Sequence, residues 1–256
     1  MTPLMAVRGL TKWYGATPAC DDVALDVHRG SIVGIVGESG SGKTTVLRLL
    51  AGLYRPDAGA IWYDPGHGEP YDLVPLPEPR RRALARTEIG LVHQNPRDGL
   101  RMHLTAGANI AERLIDAGER SYAVIRSTAQ RWLDEVEIDR NLVDHLPEQF
   151  SGGMQQRLQL ARVLVTSPRL LLMDEPTGGL DVSVQARLID VIRSLVRRLR
   201  VTVLVVSHDI GVIRLLADSV LVMRAGRIVE SGITDRVLDD PAHPYTQLLV
   251  SAALVP

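Results

Sequence analysis

Apolar residues along this chain fall into two kinds of run, separated by breaks rich in glycine, proline and acidic residues. The first kind is short and uninterrupted: Ile32 to Val36, Leu170 to Met173 and Val201 to Val206. An apolar run of that length without alternation predicts a strand buried on both faces, as in a parallel sheet. A helical pattern follows each of them. Val46, Leu47 and Leu50 share one face after the first, Val182 to Leu199 follows the second, and a helix begins near Ile210 after the third. Ile89 to Val92 is a fourth compact strand, broken by His93-Gln94-Asn95-Pro96. The repetition predicts an α/β core.

The N-terminal quarter is patterned differently. Leu4 to Leu10 predicts an edge strand, Thr11-Lys12-Trp13-Tyr14-Gly15 a polar aromatic loop, and Val23 to Val27, alternating with Ala24 and Asp26, a half-exposed strand. Pro56-Asp57-Ala58-Gly59 is a turn, after which Ala60 to Tyr63 returns as a strand. From Asp64 to Pro79 the prolines at 65, 70, 75, 77 and 79 bar a regular helix and predict a surface excursion or a partner-binding loop. Arg80, Arg81, Arg82 and Arg86 follow on a short helical segment. Such a run is either a solvated face or an attraction for a phosphate-bearing or acidic partner.

Residues Arg97 to Thr105 are too polar for a core element, but Ala106 to Leu114 and Tyr122 to Val136 are helical. Together these predict a helical subdomain at about residues 97–162, inserted into one domain spanning 1–256, with a C-terminal extension at 231–256.

Composition narrows the function classes. The chain has 256 residues and a formal net charge of −1, which argues against nucleic acid as a direct partner because backbone binding needs a dense basic face. Cys20 is the single cysteine, so no intrachain disulfide or cysteine metal cluster can form. The other histidines besides His208 show no zinc spacing. Neither a secretory start nor an apolar run long enough to span a membrane is present, and a cytoplasmic location is expected.

The breaks carry the candidate chemistry. After the first buried strand comes Gly37-Glu38-Ser39-Gly40-Ser41-Gly42-Lys43-Thr44-Thr45. Glycines there let the backbone turn tightly against phosphate oxygens at a helix start, Lys43 supplies positive charge to the β and γ phosphates, and the Thr44 hydroxyl is a Mg²⁺ ligand. A second bare helix start lies at Phe150-Ser151-Gly152-Gly153-Met154; locally it reads equally as an anion site or an ordinary cap. The strand Leu170 to Met173 delivers Asp174 and Glu175, whose side chains leave the backbone in different directions. That separation suits Asp174 to the metal and Glu175 to the attacking water. The next strand delivers Ser207-His208-Asp209 to the same carboxyl edge, where open parallel sheets bind ligands. His208 is placed there for the γ phosphate or the water, and Asp209 equally for capping the next helix. Tyr14 is either an adenine platform or a turn aromatic covering the sheet.

In this order, Tyr14, Gly37 to Thr45, Gln94, Ser151 to Gln155, Asp174-Glu175, Asp181 and His208 resemble the nucleotide-binding domain of the ABC ATPases across nearly the whole chain. The resemblance implies a P-loop core with an antiparallel β portion. It also implies that Tyr14 stacks on adenine, that Lys43 and Thr44 hold phosphate and Mg²⁺, and that Gln94 senses the metal or water site. Glu175 would be the catalytic carboxylate and His208 would hold the γ phosphate. Ser151, Gly152 and Gly153 would cap the γ phosphate bound by the opposite subunit of an ATP-bound homodimer, with Asp181 near the shared interface. Phe150, Met154 and the bend Gly178-Gly179-Leu180-Asp181 depart from the commonest form of the family signatures, without removing a charge or a metal ligand.

Within the family, the stretches His93 to Arg101 and Ala106 to Ile110 and the tail Asp240-Pro241-Ala242-His243-Pro244-Tyr245-Thr246 are most similar to the nucleotide-binding subunits of the bacterial carbon-phosphorus lyase system. That implies a soluble lyase core complex as partner. The tail alone is similar to ATPases of peptide and nickel importers, which implies a permease as the alternative. A third reading makes ATP binding an association switch with slow turnover that resets a scaffold.

Overall fold

The computed structural model describes residues 2–253. Position 1 and positions 254–256, the last of the C-terminal extension, lie outside the described residues. In chain order the elements are β1 (Met5–Tyr14), β2 (Thr17–Val27), β3 (Ile32–Val36), α1 (Lys43–Leu50), β4 (Ala58–Tyr63), β5 (Tyr71–Asp72), α2 (Glu78–Thr87), β6 (Ile89–Val92), α3 (Pro96–Gly99), α4 (Ala106–Asp116) and α5 (Tyr122–Glu135). Two 3₁₀ turns precede α6 (Gly152–Leu164), which is followed by β7 (Leu170–Asp174), α7 (Val182–Leu199), β8 (Thr202–Val206), α8 (Ile210–Leu216), β9 (Ser219–Arg224), β10 (Arg227–Ile233), α9 (Thr234–Asp239) and α10 (Pro244–Ala253). They form two compact units. The first holds the chain up to Ala83, Leu172–Asp174 and everything from Thr202; the second holds Leu84–Leu171 and Glu175–Val201.

In the first unit, β1 lies between β2 and β4 in an antiparallel sheet of order β2-β1-β4-β5. This corrects the expectation of an edge strand at Leu4 to Leu10. Alternation puts Met5 and Val7 on one buried face, but it carries no information on how many strands flank them. The strand also continues through the expected aromatic loop as far as Tyr14, which pairs with Thr17 across a turn at Gly15. A bulge at Gly9 lets β1 pass close to β4, where a Cβ on Gly59 would stand 2.5 Å from the Gly9 carbonyl oxygen. Part of the proline-rich excursion adds a strand, since Tyr71 and Asp72 pair with Tyr63 and Trp62.

The other sheet of this unit runs β10-β9-β3-β8-β7, with β3 parallel to both β8 and β9. Every residue of β3 and β8 is buried, which is why these segments carry no polar alternation. Helix α8 packs so closely on β3 that a Cβ at Gly34 would lie 2.6 Å from Ile213 Cγ2.

In the second unit α6 packs on β6 at Gly90, where a Cβ would meet Val163 Cγ1 at 2.4 Å. Helices α4, α5 and α6 surround Ile110, Leu133 and Leu158, each with essentially no exposed surface. Asn109 is fully buried among them and satisfies itself by accepting from the Arg101 amide and donating to the carbonyls of Arg101, Leu104 and Thr105. Orphaning such groups costs about 1–3 kcal/mol each, so this one side chain fixes the loop entering α4. The arginine run on α2 is engaged locally: Arg82 pairs with Glu78, Arg80 lies 5.5 Å from the Tyr71 ring centroid, and the Arg81 guanidinium donates to the Leu76 carbonyl. Among the described residues no helix is long and apolar enough to cross a membrane.

Candidate functional site

The loop from Gly37 to Gly42 joins buried β3 to α1 and is hemmed in by backbone. A Cβ at Gly37 (φ 154°) would stand 2.2 Å from the Met223 carbonyl oxygen, and one at Gly42 (φ 103°) 2.0 Å from that of Ala19. Neither position accepts another residue without moving main chain. Gly40, at φ 81°, meets nothing within 4 Å; there the requirement is conformational alone. Gly42 caps α1 without any side-chain bond to the amides of the first turn, which is the arrangement that receives an anion.

Lys43 is only 4% exposed, and its ammonium donates to the carbonyl oxygens of Gly37 at 2.8 Å and Glu38 at 2.9 Å. The turn between β9 and β10 reaches the same loop, with the Gly226 amide donating to the Ser41 carbonyl. Thr44 Oγ1 lies 2.9 Å from Asp174 Oδ1 at the end of β7. The first unit therefore brings Lys43, Thr44 and Asp174 together. Ser39 and Gly40 are exposed on the loop, Ser41 is buried under it, and Thr45 is partly buried as the third residue of α1.

Elsewhere in that unit, Tyr14 is 53% exposed at the tip of the β1–β2 hairpin. His208 is exposed at the end of β8. Asp209 takes the capping alternative: its Oδ1 accepts from the amides of Gly211 and Val212 at the start of α8.

In the second unit Gln94 Nε2 donates to Glu175 Oε2 at 3.2 Å. Glu175 has φ 42°, the left-handed region, and precedes Pro176, a combination that costs conformational energy and persists only where the surroundings impose it. The Gly178 amide bonded to the Glu175 carbonyl is part of that constraint.

Two glutamines absent from the sequence expectations hold Gln94 in place. Gln159 is fully buried and grips the preceding residue from both sides, its Oε1 accepting from the His93 amide at 2.6 Å and its Nε2 donating to the His93 carbonyl at 3.1 Å. Gln156 Nε2 donates to the same carbonyl. The signal was available in polar residues on the buried face of an amphipathic helix, but their partner lies more than sixty positions away.

Ser151 accepts from the Met154 amide at 3.3 Å, so it is a genuine cap of α6, and it stays exposed together with Gly152. The two glycines have different reasons. Gly153 is buried where a Cβ would meet Val184 Cγ1 at 2.3 Å, so its missing side chain lets α6 approach α7, whereas Gly152 is exposed at the helix start. Asp181 precedes α7 and is exposed, its side chain bonding none of the amides of that helix.

With this geometry in place, comparison with known proteins is decisive. The sequence profile of the ABC transporter family matches residues 20–178. The chain belongs to the ABC transporter family. It is similar to the putative phosphonates utilization ATP-binding protein PhnK of Escherichia coli (strain K12), at 58% identity over 98% of both chains. The oligopeptide transport ATP-binding protein OppF of the same strain is 34% identical over 96% of this chain and 73% of its own. Among solved structures, the ATP-binding cassette MJ0796, in a dimeric post-hydrolysis state bound to ADP and phosphate, superposes with a TM-score of 0.81 at 30% identity, over 90% of this chain and 98% of that one. As an ABC ATPase the chain binds and hydrolyses ATP on a P-loop core with an inserted helical subdomain.

Proposed function

We propose that this chain is a Mg²⁺-dependent ATPase that acts as a homodimer in the cytoplasm and couples its cycle to a soluble carbon-phosphorus lyase complex in phosphonate degradation. The observation that carries the partner assignment is the 58% identity with a phosphonates utilization protein across 98% of both chains.

The site residues take the following parts in this reading. The loop Gly37 to Thr45 receives the phosphates, with the Lys43 ammonium moving from loop carbonyls to phosphate oxygens, and Tyr14 stacks on adenine. Thr44 and Asp174 offer hard oxygen donors 2.9 Å apart, a fit for Mg²⁺, which takes one or two protein oxygens and completes its shell with phosphate and water. Bound there, the ion supplies charge neutralisation as the γ phosphoryl group leaves. Glu175 accepts the proton of the attacking water, Gln94 orients that carboxylate and senses the ion, and His208 holds the γ phosphate. Ser151, Gly152 and Gly153 present the start of α6 to the nucleotide of the opposite protomer, with Asp181 at the shared interface. The helical subdomain, residues 97–162, carries the partner surface, and 231–256 is a C-terminal extension.

The test is stoichiometric mixing with the soluble lyase core, with and without Mg-ATP, followed by mass-resolved chromatography. Mg-ATP is expected to strengthen binding. Reversing charge at Arg97, which is exposed, and Arg101, which lies 3.7 Å from Glu112, is expected to weaken lyase binding about tenfold while ATP affinity changes less than twofold. Equal loss of both affinities contradicts the partner surface. The similarity to OppF favours the second reading, an importer ATPase, and nucleotide-dependent binding to a permease with none to the lyase core establishes that reading instead.

A further inference from the structure

The C-terminal tail Asp240 to Thr246 is built into the first unit rather than laid over it. Glu230, on β10, captures two consecutive amides of the tail, with Oε1 accepting from Ala242 at 2.8 Å and Oε2 from His243 at 3.1 Å. Burial disfavours the charged Glu230 carboxylate, but its polar neighbours, those two amides among them, outweigh it and hold the group below the usual carboxylate range. His243 Nδ1 then accepts from the Tyr245 amide at 3.1 Å, which closes the start of α10, and Pro244 occupies the first helical position, where a missing N–H costs nothing. Ala242, His243 and Pro244 thus contribute to aiming Tyr245.

Tyr245 is 8% exposed, its ring lies under the Arg224 guanidinium at 4.9 Å from the centroid, and its hydroxyl oxygen accepts from the Glu38 amide at 3.0 Å. That amide and the Gly37 carbonyl are the two ends of one peptide group. The other end accepts from the Lys43 ammonium at 2.8 Å. A trans peptide points its N–H and C=O in opposite directions, so Tyr245 and Lys43 hold this plane from both sides. The plane is the first of the loop, and it turns about ψ of Gly37 and φ of Glu38, the first of which a missing Cβ leaves less restricted than at another residue.

We propose that Tyr245 is a positioning residue for nucleotide binding: the C-terminal tail delivers its hydroxyl to the Gly37–Glu38 peptide and thereby sets the loop and Lys43 for the phosphates of ATP. The inference rests on reading Gly37 to Thr45 as the phosphate loop. Its consequence is that the tail, distant in sequence from the loop, sets affinity for the nucleotide more than the rate of the chemical step.

The experiment uses the full chain with Tyr245→Phe, which keeps the ring and its packing against Arg224 and removes only the hydroxyl. By calorimetric titration with Mg-ATP the dissociation constant is expected to rise about fivefold, within the range of one lost hydrogen bond. The KM for ATP should rise with it, while kcat at saturation falls less than twofold. Amide exchange in the nucleotide-free protein should accelerate at Glu38, and the unfolding midpoint should hold. Glu230→Gln, which loosens the tail without touching the loop, is expected to weaken ATP in the same direction. Lys43→Ala separates the two levels of the argument. If Lys43→Ala abolishes ATP binding while Tyr245→Phe leaves both affinity and Glu38 exchange unchanged, the role of Tyr245 is overturned. If Lys43→Ala binds ATP as tightly as the unmodified protein, the phosphate-loop reading itself fails.

Discussion

At the residue scale, the constraint most telling about chemistry is the left-handed backbone of Glu175 beside the 3.2 Å contact from Gln94. A non-glycine residue pays for such a conformation, and here the return is a carboxylate whose direction is fixed. Glu175→Gln keeps the volume, and its amide oxygen still accepts from Gln94, so only the proposed base is lost. ATP affinity should stay within about twofold, and kcat should fall by about 100-fold or more, the range a general base supplies. Unchanged steady-state turnover contradicts the assignment. The loop glycines were legible in the sequence because their spacing with Lys43 and Thr44 has few other uses. The packing reason for Gly153 left no local trace, because nothing adjacent in sequence reveals that Val184 occupies the space where its side chain would be. Tyr245 lay inside a recognisable motif, yet its contact with Glu38 spans 207 positions and leaves no local trace.

At the element scale, buried parallel strands were the most legible features, since β3, β7 and β8 carry uninterrupted apolar runs. Helix α7 was expected at Val182 to Leu199 and is found there. Strands β9, β10 and the two-residue β5 were not anticipated, and the neighbours of β1 were misjudged, because strand pairing depends on partners far along the chain. Helix α6 joins several jobs: its start is capped by Ser151, Gly153 admits α7, and Gln156 and Gln159 hold the strand end that carries Gln94. Gln159→Leu, similar in volume, leaves the His93 amide without its acceptor. It should destabilise the protein by about 1–3 kcal/mol and lower kcat several-fold, with ATP affinity nearly unchanged. Chemical denaturation and steady-state kinetics on one preparation check this, and a loss confined to stability means that the clamp is structural only.

At the scale of the whole molecule, the near-neutral charge argued against a nucleic-acid partner, the loop Gly37 to Thr45 pointed to a nucleotide, and the ordered motifs placed the chain in its family. The choice of partner was legible only through resemblance: the sequence has a single cysteine, and among the described residues no group of three or more His, Cys, Asp or Glu could hold a metal ion. The assembly follows from a physical asymmetry in the reading proposed: one protomer supplies Lys43, Thr44 and Asp174 and the other supplies Ser151 and Gly152, so a two-fold axis completes both sites from one sequence. ATP then favours the closed dimer through its γ phosphate, and hydrolysis releases it. The most direct measurement is sedimentation of the Glu175→Gln variant with saturating Mg-ATP. The account predicts a dimer that reverts to monomer with Mg-ADP. A persistent monomer at saturating Mg-ATP, with the lyase core also present, contradicts it.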